Sequence, residues 1–118
     1  MLLAMLITAE PHDEMNLLGL FMKAALQERL PALERAKPSG SFLVESGGMT
    51  ITLNCSLNQI VIRKGEQPHT DARLRGDLDA LARLASGRMV DSFLRRRIRV
   101  SGNPIKLLPL ARVFRGDG

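Results

Sequence analysis

Apolar and polar positions along this 118-residue chain change period several times, and each change marks an element. Over residues 13–30 the apolar positions, including Leu18, Phe21, Met22, Ala25 and Leu26, fall at helical spacing and cover more than one narrow stripe. Asn16, Lys23 and Gln27 form the clearest polar line. The pattern predicts a helix buried on two sides, opened by the break at Pro11-His12-Asp13 and ended by Pro31. Asp13 and Glu14 stand where the helix dipole favours carboxylates.

Beyond the turn signal Pro38-Ser39-Gly40 the period shortens to two. Residues 41–45 lead through Ser46-Gly47-Gly48, a hairpin turn because glycine accepts positive φ. Met49, Ile51 and Leu53 then alternate with Thr50, Thr52 and Asn54. Residues 54–58 read as a loop, and residues 59–64 as a third strand closed by Gly65. In the fourth, residues 69–75, Thr70, Ala72 and Leu74 alternate with Asp71, Arg73 and Arg75. Asp77 can cap a short helix with Leu78, Leu81, Ala82 and Ala85 at helical spacing, stopped by Gly87. A fifth strand covers residues 95–101, with Ile98 and Val100 on one face and Arg95, Arg97 and Arg99 on the other. Asn103 as cap and Pro104 at the first helical position open a last helix. Its Leu107, Leu110, Ala111 and Phe114 share one face, and Pro109 inside it predicts a kink or restart.

Composition changes this picture in three ways. The chain has four Phe, six Met and neither Tyr nor Trp, so its core is aliphatic and adaptable, suited to methylene-rich ligands as well as to plain packing. Net charge is +5 and unevenly spread: residues 1–58 carry four basic against six acidic residues, −2, and residues 59–118 thirteen against six, +7. The basic half suits nucleic acid, an anionic bilayer or an acidic partner, and equally a merely solvated face. The single Cys55 allows no disulfide framework. The apolar start, residues 1–7, lacks a basic export region and is too short to span a bilayer. A cytoplasmic location follows as the expectation, with residues 1–7 packing on the domain as a strand or helix turn.

Candidate catalytic chemistry is sparse. His12-Asp13-Glu14 and His69-x-Asp71 lack a second histidine at metal-binding spacing, and Asp77-x-Asp79 falls in a first helical turn. Cys55 has no neighbouring base in sequence, and Ser46 precedes a Gly pair without a GxSxG elbow. Arg75-Gly76-Asp77 and Arg115-Gly116-Asp117 spell an adhesion tripeptide in a strand-to-helix turn and a terminal tail. The expectation is a protein that is not an enzyme and holds no cofactor or metal. Nucleic-acid binding is disfavoured, because a single-strand platform needs stacking aromatics.

The order Leu84-Ala85-Ser86-Gly87, Phe93-Leu94 and Arg96-Arg97-Ile98-Arg99-Val100-Ser101-Gly102 resembles the closing half of the sterol carrier protein family of non-specific lipid-binding domains. Residues 93–102 look most like its bacterial branch containing the sterol-carrier-like accessory factor of ubiquinone biosynthesis, and the likeness fades back to about Leu17. Two departures are the absence of an Asp-Pro pair between Gly87 and Phe93 and the short chain after Phe114. The expected architecture is a single α+β domain over residues 1–118. It has a five-stranded, mainly antiparallel sheet with helices packed on it, enclosing an apolar cavity. Residues 1–40 form an apolar segment and helix, 41–102 the sheet with an inserted helix, and 103–118 a closing helix.

The expected function is non-catalytic binding or transport of a long-chain lipid or isoprenoid. The resemblance implies a polyprenyl quinone precursor as ligand and biosynthetic enzymes as partners. The expected lipid-binding wall is Leu78, Leu81, Phe93, Leu94, Ile98, Leu107, Leu110 and Phe114. Arg95, Arg97 and Arg99 are the residues expected to meet an anionic membrane or headgroup. The competing readings are a basic nucleic-acid-binding module and a structural interaction domain whose interior is filled by its own side chains.

Overall fold

The computed structural model describes residues 5–11, 13–79, 81 and 98–115. In chain order these form β1 (Leu6–Glu10), α1 (Leu17–Gln27), α2 (Leu30–Ala36), β2 (Gly40–Ser46), β3 (Met49–Ser56), β4 (Gln59–Lys64), β5 (Ala72–Gly76), β6 (Ile98–Gly102) and α3 (Pro104–Arg115). The sheet is six-stranded, in the order β1-β4-β3-β2-β5-β6. Pairings of β4 with β3, β3 with β2 and β5 with β6 are antiparallel, whereas β1–β4 and β2–β5 are parallel. The expected α+β class and antiparallel majority hold, and the strand count is corrected from five to six. The added strand is the apolar N-terminal run, which pairs residue for residue from Leu6 with Gln59 to Glu10 with Arg63.

Strand alternation sorts the sheet into two unlike faces. Ile7, Ile60, Ile62, Ile51, Leu53, Phe42, Val44 and Ala72 point to one side and form a single core with Leu18, Met22 and Leu26 of α1 and Leu33 of α2. Leu110, Val113 and Phe114 of α3 complete it. The opposite face carries Glu45, Arg63, Arg73, Arg75 and Arg99. Two residues there are nevertheless fully buried, Leu43 and its cross-strand partner Thr52. The Thr52 hydroxyl donates to the Gly65 carbonyl at 2.8 Å and accepts from the Gln67 amide at 3.1 Å, which fixes the segment after β4 over this part of the sheet.

Local chemistry accounts for the boundaries that differ from expectation. The first helix starts at Leu17, not near residue 13, because Asn16 caps it: Asn16 Oδ1 accepts from the Gly19 amide at 2.9 Å and its amide donates to the Thr50 carbonyl at 3.2 Å. Pro31 ends nothing. It lies in the first turn of α2, where a missing N–H costs no helical bond. Residues 54–58 are not a loop, since β3 continues to Ser56 and turns into β4 through Leu57 and Asn58 alone. Cys55 is therefore a strand residue beside Ile60. His69, with φ of 62°, stands outside β5, which starts at Ala72.

The hairpin turn at Gly47 and Gly48 is as expected, both residues having positive φ. Helix α3 is capped by Asn103, whose Oδ1 accepts from the Ile105 amide at 3.1 Å. It runs through Pro109 without restarting. The carbonyl that Pro109 leaves unpaired would be that of Ile105, a residue 73% exposed. Among the described residues no helix is long and apolar enough to cross a membrane.

Candidate functional site

The core face of the sheet is best followed as rows of side chains running across the strands. In one row Ala9, Ile62, Leu53, Phe42 and Ala72 are aligned by register, and all are buried. In the next, Ile51 and Val44 are buried, Leu74 is half-buried, and Val100 on edge strand β6 is 47% exposed. The last row, at the β2–β3 hairpin, starts with Met49 and Ser46. It continues by the same register to Gly76 and Ile98. Burial therefore declines towards one corner, where β5 and β6 meet the start of the helical turn after Gly76.

Helical elements bound that corner. The Leu81 amide donates to the Asp77 carbonyl at 3.1 Å, a helical bond that turns Leu81 into the core while Leu78 stays 37% exposed. From α3, Leu107 packs half-buried against the same core, followed by buried Leu110. Ile105 and Leu108, in the first turns of α3, are exposed. The described part of the corner is thus an aliphatic surface (Leu74, Leu78, Ile98, Val100, Leu107) that continues the core outwards. It can desolvate hydrocarbon, at about 0.8 kcal/mol per methylene buried, and offers no group for bond-making.

The residues singled out from sequence divide into three sets. Leu81, Leu110 and Phe114 lie inside the buried cluster, and Ile98 and Leu107 pack on its rim with Leu78 beyond. Arg99 is exposed, opposite Arg75, on the sheet face turned away from the aliphatic corner. Phe93, Leu94, Arg95 and Arg97 fall outside the described residues. Sequence reasoning missed Val113, fully buried on α3, and Ser46. The signal for Ser46 was present, because Phe42, Val44 and Ser46 share the inward parity of β2.

Electrostatics separate the two faces. Outside the core, Arg63 pairs with Glu10 at 3.2 Å and Arg73 with Glu66 at 2.7 Å, while Glu45 lies 3.9 Å from both Arg73 and Arg75. Inside, Cys55 is buried and its thiol is pushed up to about 12 by desolvation, so it stays a protonated, inert thiol. Among the described residues no three His, Cys, Asp or Glu side chains gather to hold a metal.

Comparison with known proteins places this geometry. The model of the SCP-2 sterol transfer family matches residues 19–115. No curated protein matches the sequence. Among solved structures, the UbiJ-SCP2 ubiquinone synthesis protein is similar at 19% identity and a TM-score of 0.66, over 83% of this chain and 93% of that one. Sterol carrier protein domain 2 of Helicoverpa armigera is similar at 17% identity and a TM-score of 0.62, over 84% and 86%. Palmitated SCP2L2 from Aedes aegypti is similar at 19% identity and a TM-score of 0.53, over 76% and 91%. At these identities the solved structures speak for the fold.

Proposed function

The chain belongs to the SCP-2 sterol transfer family, and on that premise we propose that its non-catalytic lipid-binding domain takes up the hydrocarbon chain of a long-chain lipid or isoprenoid at the β5–β6 corner. One observation carries the reading. The core does not close there: Leu74, Ile98 and Leu107 are half-buried against it and Val100 is 47% exposed, although all four are aliphatic. Surface of this kind favours an apolar partner over water. The proposed wall is Leu78, Leu81, Phe93, Leu94, Ile98, Leu107, Leu110 and Phe114, enclosing an apolar cavity. The narrower ligand, a polyprenyl quinone precursor presented to biosynthetic enzymes, is supported by the likeness of residues 93–102 to the ubiquinone accessory branch and by the fold of the UbiJ-SCP2 protein. Arg95, Arg97 and Arg99 are proposed to contact an anionic membrane during loading.

Native mass spectrometry of protein purified without detergent tests the reading. A lipid-sized adduct on the wild-type chain, lost in Leu107→Arg, supports it. Leu107 suits the test better than buried Leu110, where an arginine would bury a charge and unfold the chain. Absence of any adduct, together with no uptake of a fluorescent fatty or prenyl probe, overturns it.

A further inference from the structure

We propose that the Ser46 hydroxyl is the polar anchor of this lipid site and that the ligand's head is a neutral oxygen group, a hydroxyl or ketone adjoining the hydrocarbon. The inference rests on the lipid-binding reading and deepens it. Ser46 is 4% exposed and its Oγ, shielded from solvent, makes no hydrogen bond among the described residues. Such an orphan is costly in a folded protein and calls for an explanation. It is set on the core face by the parity of Phe42 and Val44, both buried in the same strand.

Its neighbours point to a ligand at the aliphatic corner. The β2–β5 register, extended by one residue beyond Glu45 and Arg75, sets Ser46 beside Gly76, and Gly76 is paired with Ile98. With glycine at that position, no side chain of β5 stands between the hydroxyl and the half-buried Ile98. Leu78 and Leu81 follow directly on the turn that leaves Gly76. One polar side chain therefore sits between Met49 and Gly76 in a row whose other side chains are apolar, an arrangement that orients an amphiphile.

The second buried hydroxyl without a partner, Thr8 Oγ1, points the other way: it alternates with core residues Ile7 and Ala9 and faces the opposite side of the sheet. The chemistry of the head follows from what surrounds Ser46. Among the described residues of the sheet, Arg73, Arg75 and Arg99 lie on the far face, and Lys64, which shares the core face, is an exposed residue of β4, two strands away from β2. Among the described residues, a buried carboxylate or phosphate there would meet a single hydroxyl and no adjacent cation, which disfavours an ionised head. A neutral oxygen loses less than an ion on leaving water and supplies the hydrogen-bond partner that Ser46 lacks.

The test is displacement of a fluorescent prenyl probe from the full chain by farnesol, by the matching hydrocarbon without the hydroxyl, and by farnesoic acid at neutral pH. The wild-type chain is expected to prefer farnesol over the hydrocarbon by about tenfold, and Ser46→Ala to abolish that preference while binding the hydrocarbon as before. The alanine variant removes an orphan and so melts no lower than wild type. Should it disturb the hairpin, Ser46→Cys, close in volume and a weak donor, must show the same loss. An unchanged preference in both variants, or tighter binding of the acid than of the alcohol, overturns the anchor and leaves the lipid site standing. Displacement by none of the three overturns the lipid site and the anchor with it.

Discussion

The guanidinium of Arg29 lies over the ring of Phe114, 5.5 Å from its centroid, and its Nη1 donates to the Val113 carbonyl at 3.5 Å. One side chain from the α1–α2 junction thereby grips the last turn of α3. Helix α3 is held at its C-terminal half, where Leu110, Val113 and Phe114 are buried, and is only lightly covered at Ile105 and Leu108. Arg29→Ala is expected to destabilise the fold by about 1 kcal/mol. Phe114→Ala should cost about 3–5 kcal/mol, because it also empties a core site. Urea unfolding of both single variants and the double variant checks the coupling. Strict additivity would show that ring and guanidinium do not interact.

Thr52 offers a second measurement, remote from the proposed site. Its fully buried hydroxyl satisfies both the Gly65 carbonyl and the Gln67 amide. Thr52→Val keeps the shape and orphans both backbone groups, so a loss of about 2 kcal/mol is expected, restored in large part by Thr52→Ser. Probe binding should be unchanged. Equal stability of all three chains in thermal melts would refute the role given to this hydroxyl.

Gly102 couples the sheet to α3. It has φ of 87°, and a Cβ built there would meet the Asp71 carbonyl oxygen at 2.6 Å and the Ala72 Cα at 2.8 Å. Both obstacles are backbone. Asp71 cannot retreat, since its amide donates to the Ser41 carbonyl at 2.7 Å and its Oδ2 accepts from the Ser41 amide at 2.8 Å. The same Asp71 carbonyl accepts from the Asn103 amide at 2.8 Å, at the cap of α3. Gly102→Ala is therefore expected to cost about 2–4 kcal/mol in strain and collision and to displace the first turn of α3. Calorimetry should show the lower melting temperature, and lipid uptake should fall alongside it, in contrast to Thr52→Val.

How far these features were visible in the sequence depends on their range along the chain. Alternation over residues 49–53 and 70–75 exposed the inward parity of Ile51, Leu53, Ala72 and Leu74 because one face is polar, and the Gly47-Gly48 turn carries its own signature. Strand β1 hides its role: Leu6 is 57% exposed yet apolar, so Leu6-Ile7-Thr8-Ala9 shows little contrast between faces. Both parallel pairings join segments far apart in sequence, and no local pattern encodes them. Pro31 misleads for a simpler reason. The same residue ends one helix or opens the next, and only the chain's path over Leu33, buried beneath α3, decides which. In the proposed site, the apolar wall was legible as periodicity in Ile98, Leu107 and Leu110. For Ser46 only the inward parity was legible and not the role, because the role comes from burial without a partner.

Cys55 gives a pH-dependent prediction. Desolvation raises its thiol from about 9 to about 12, so the folded state holds the proton more tightly than the unfolded chain. With the folded value above the unfolded one, this contribution to stability is complete below pH 9 and is lost as pH rises towards 12. Unfolding free energy should fall over that window more steeply in the wild type than in Cys55→Ala. Iodoacetamide at pH 8 should label the thiol only in denaturant. Rapid labelling of the native protein would mean that Cys55 is accessible and the strand assignment of its environment wrong.

The outer face carries the last prediction, which concerns docking. Arg75 stands directly opposite Arg99 across β5–β6. Like charges in register repel, and the nearest ion-pair partner of Arg75, Glu45, is 3.9 Å away and shared with Arg73. An anionic surface would relieve that repulsion, each arginine contributing about 1 kcal/mol. Cosedimentation with vesicles rich in phosphatidylserine should therefore fall about tenfold or more in Arg75→Gln/Arg99→Gln, and both chains should dissociate as salt is raised. Neutral vesicles distinguish charge from grease, since they would recruit only through exposed apolar residues such as Ile105 and Leu108. If the double variant sediments like wild type with anionic vesicles, the arginine face is a solvated surface. Loading would then proceed from the aliphatic corner alone, where Val100 and Leu107 already break the boundary of the core.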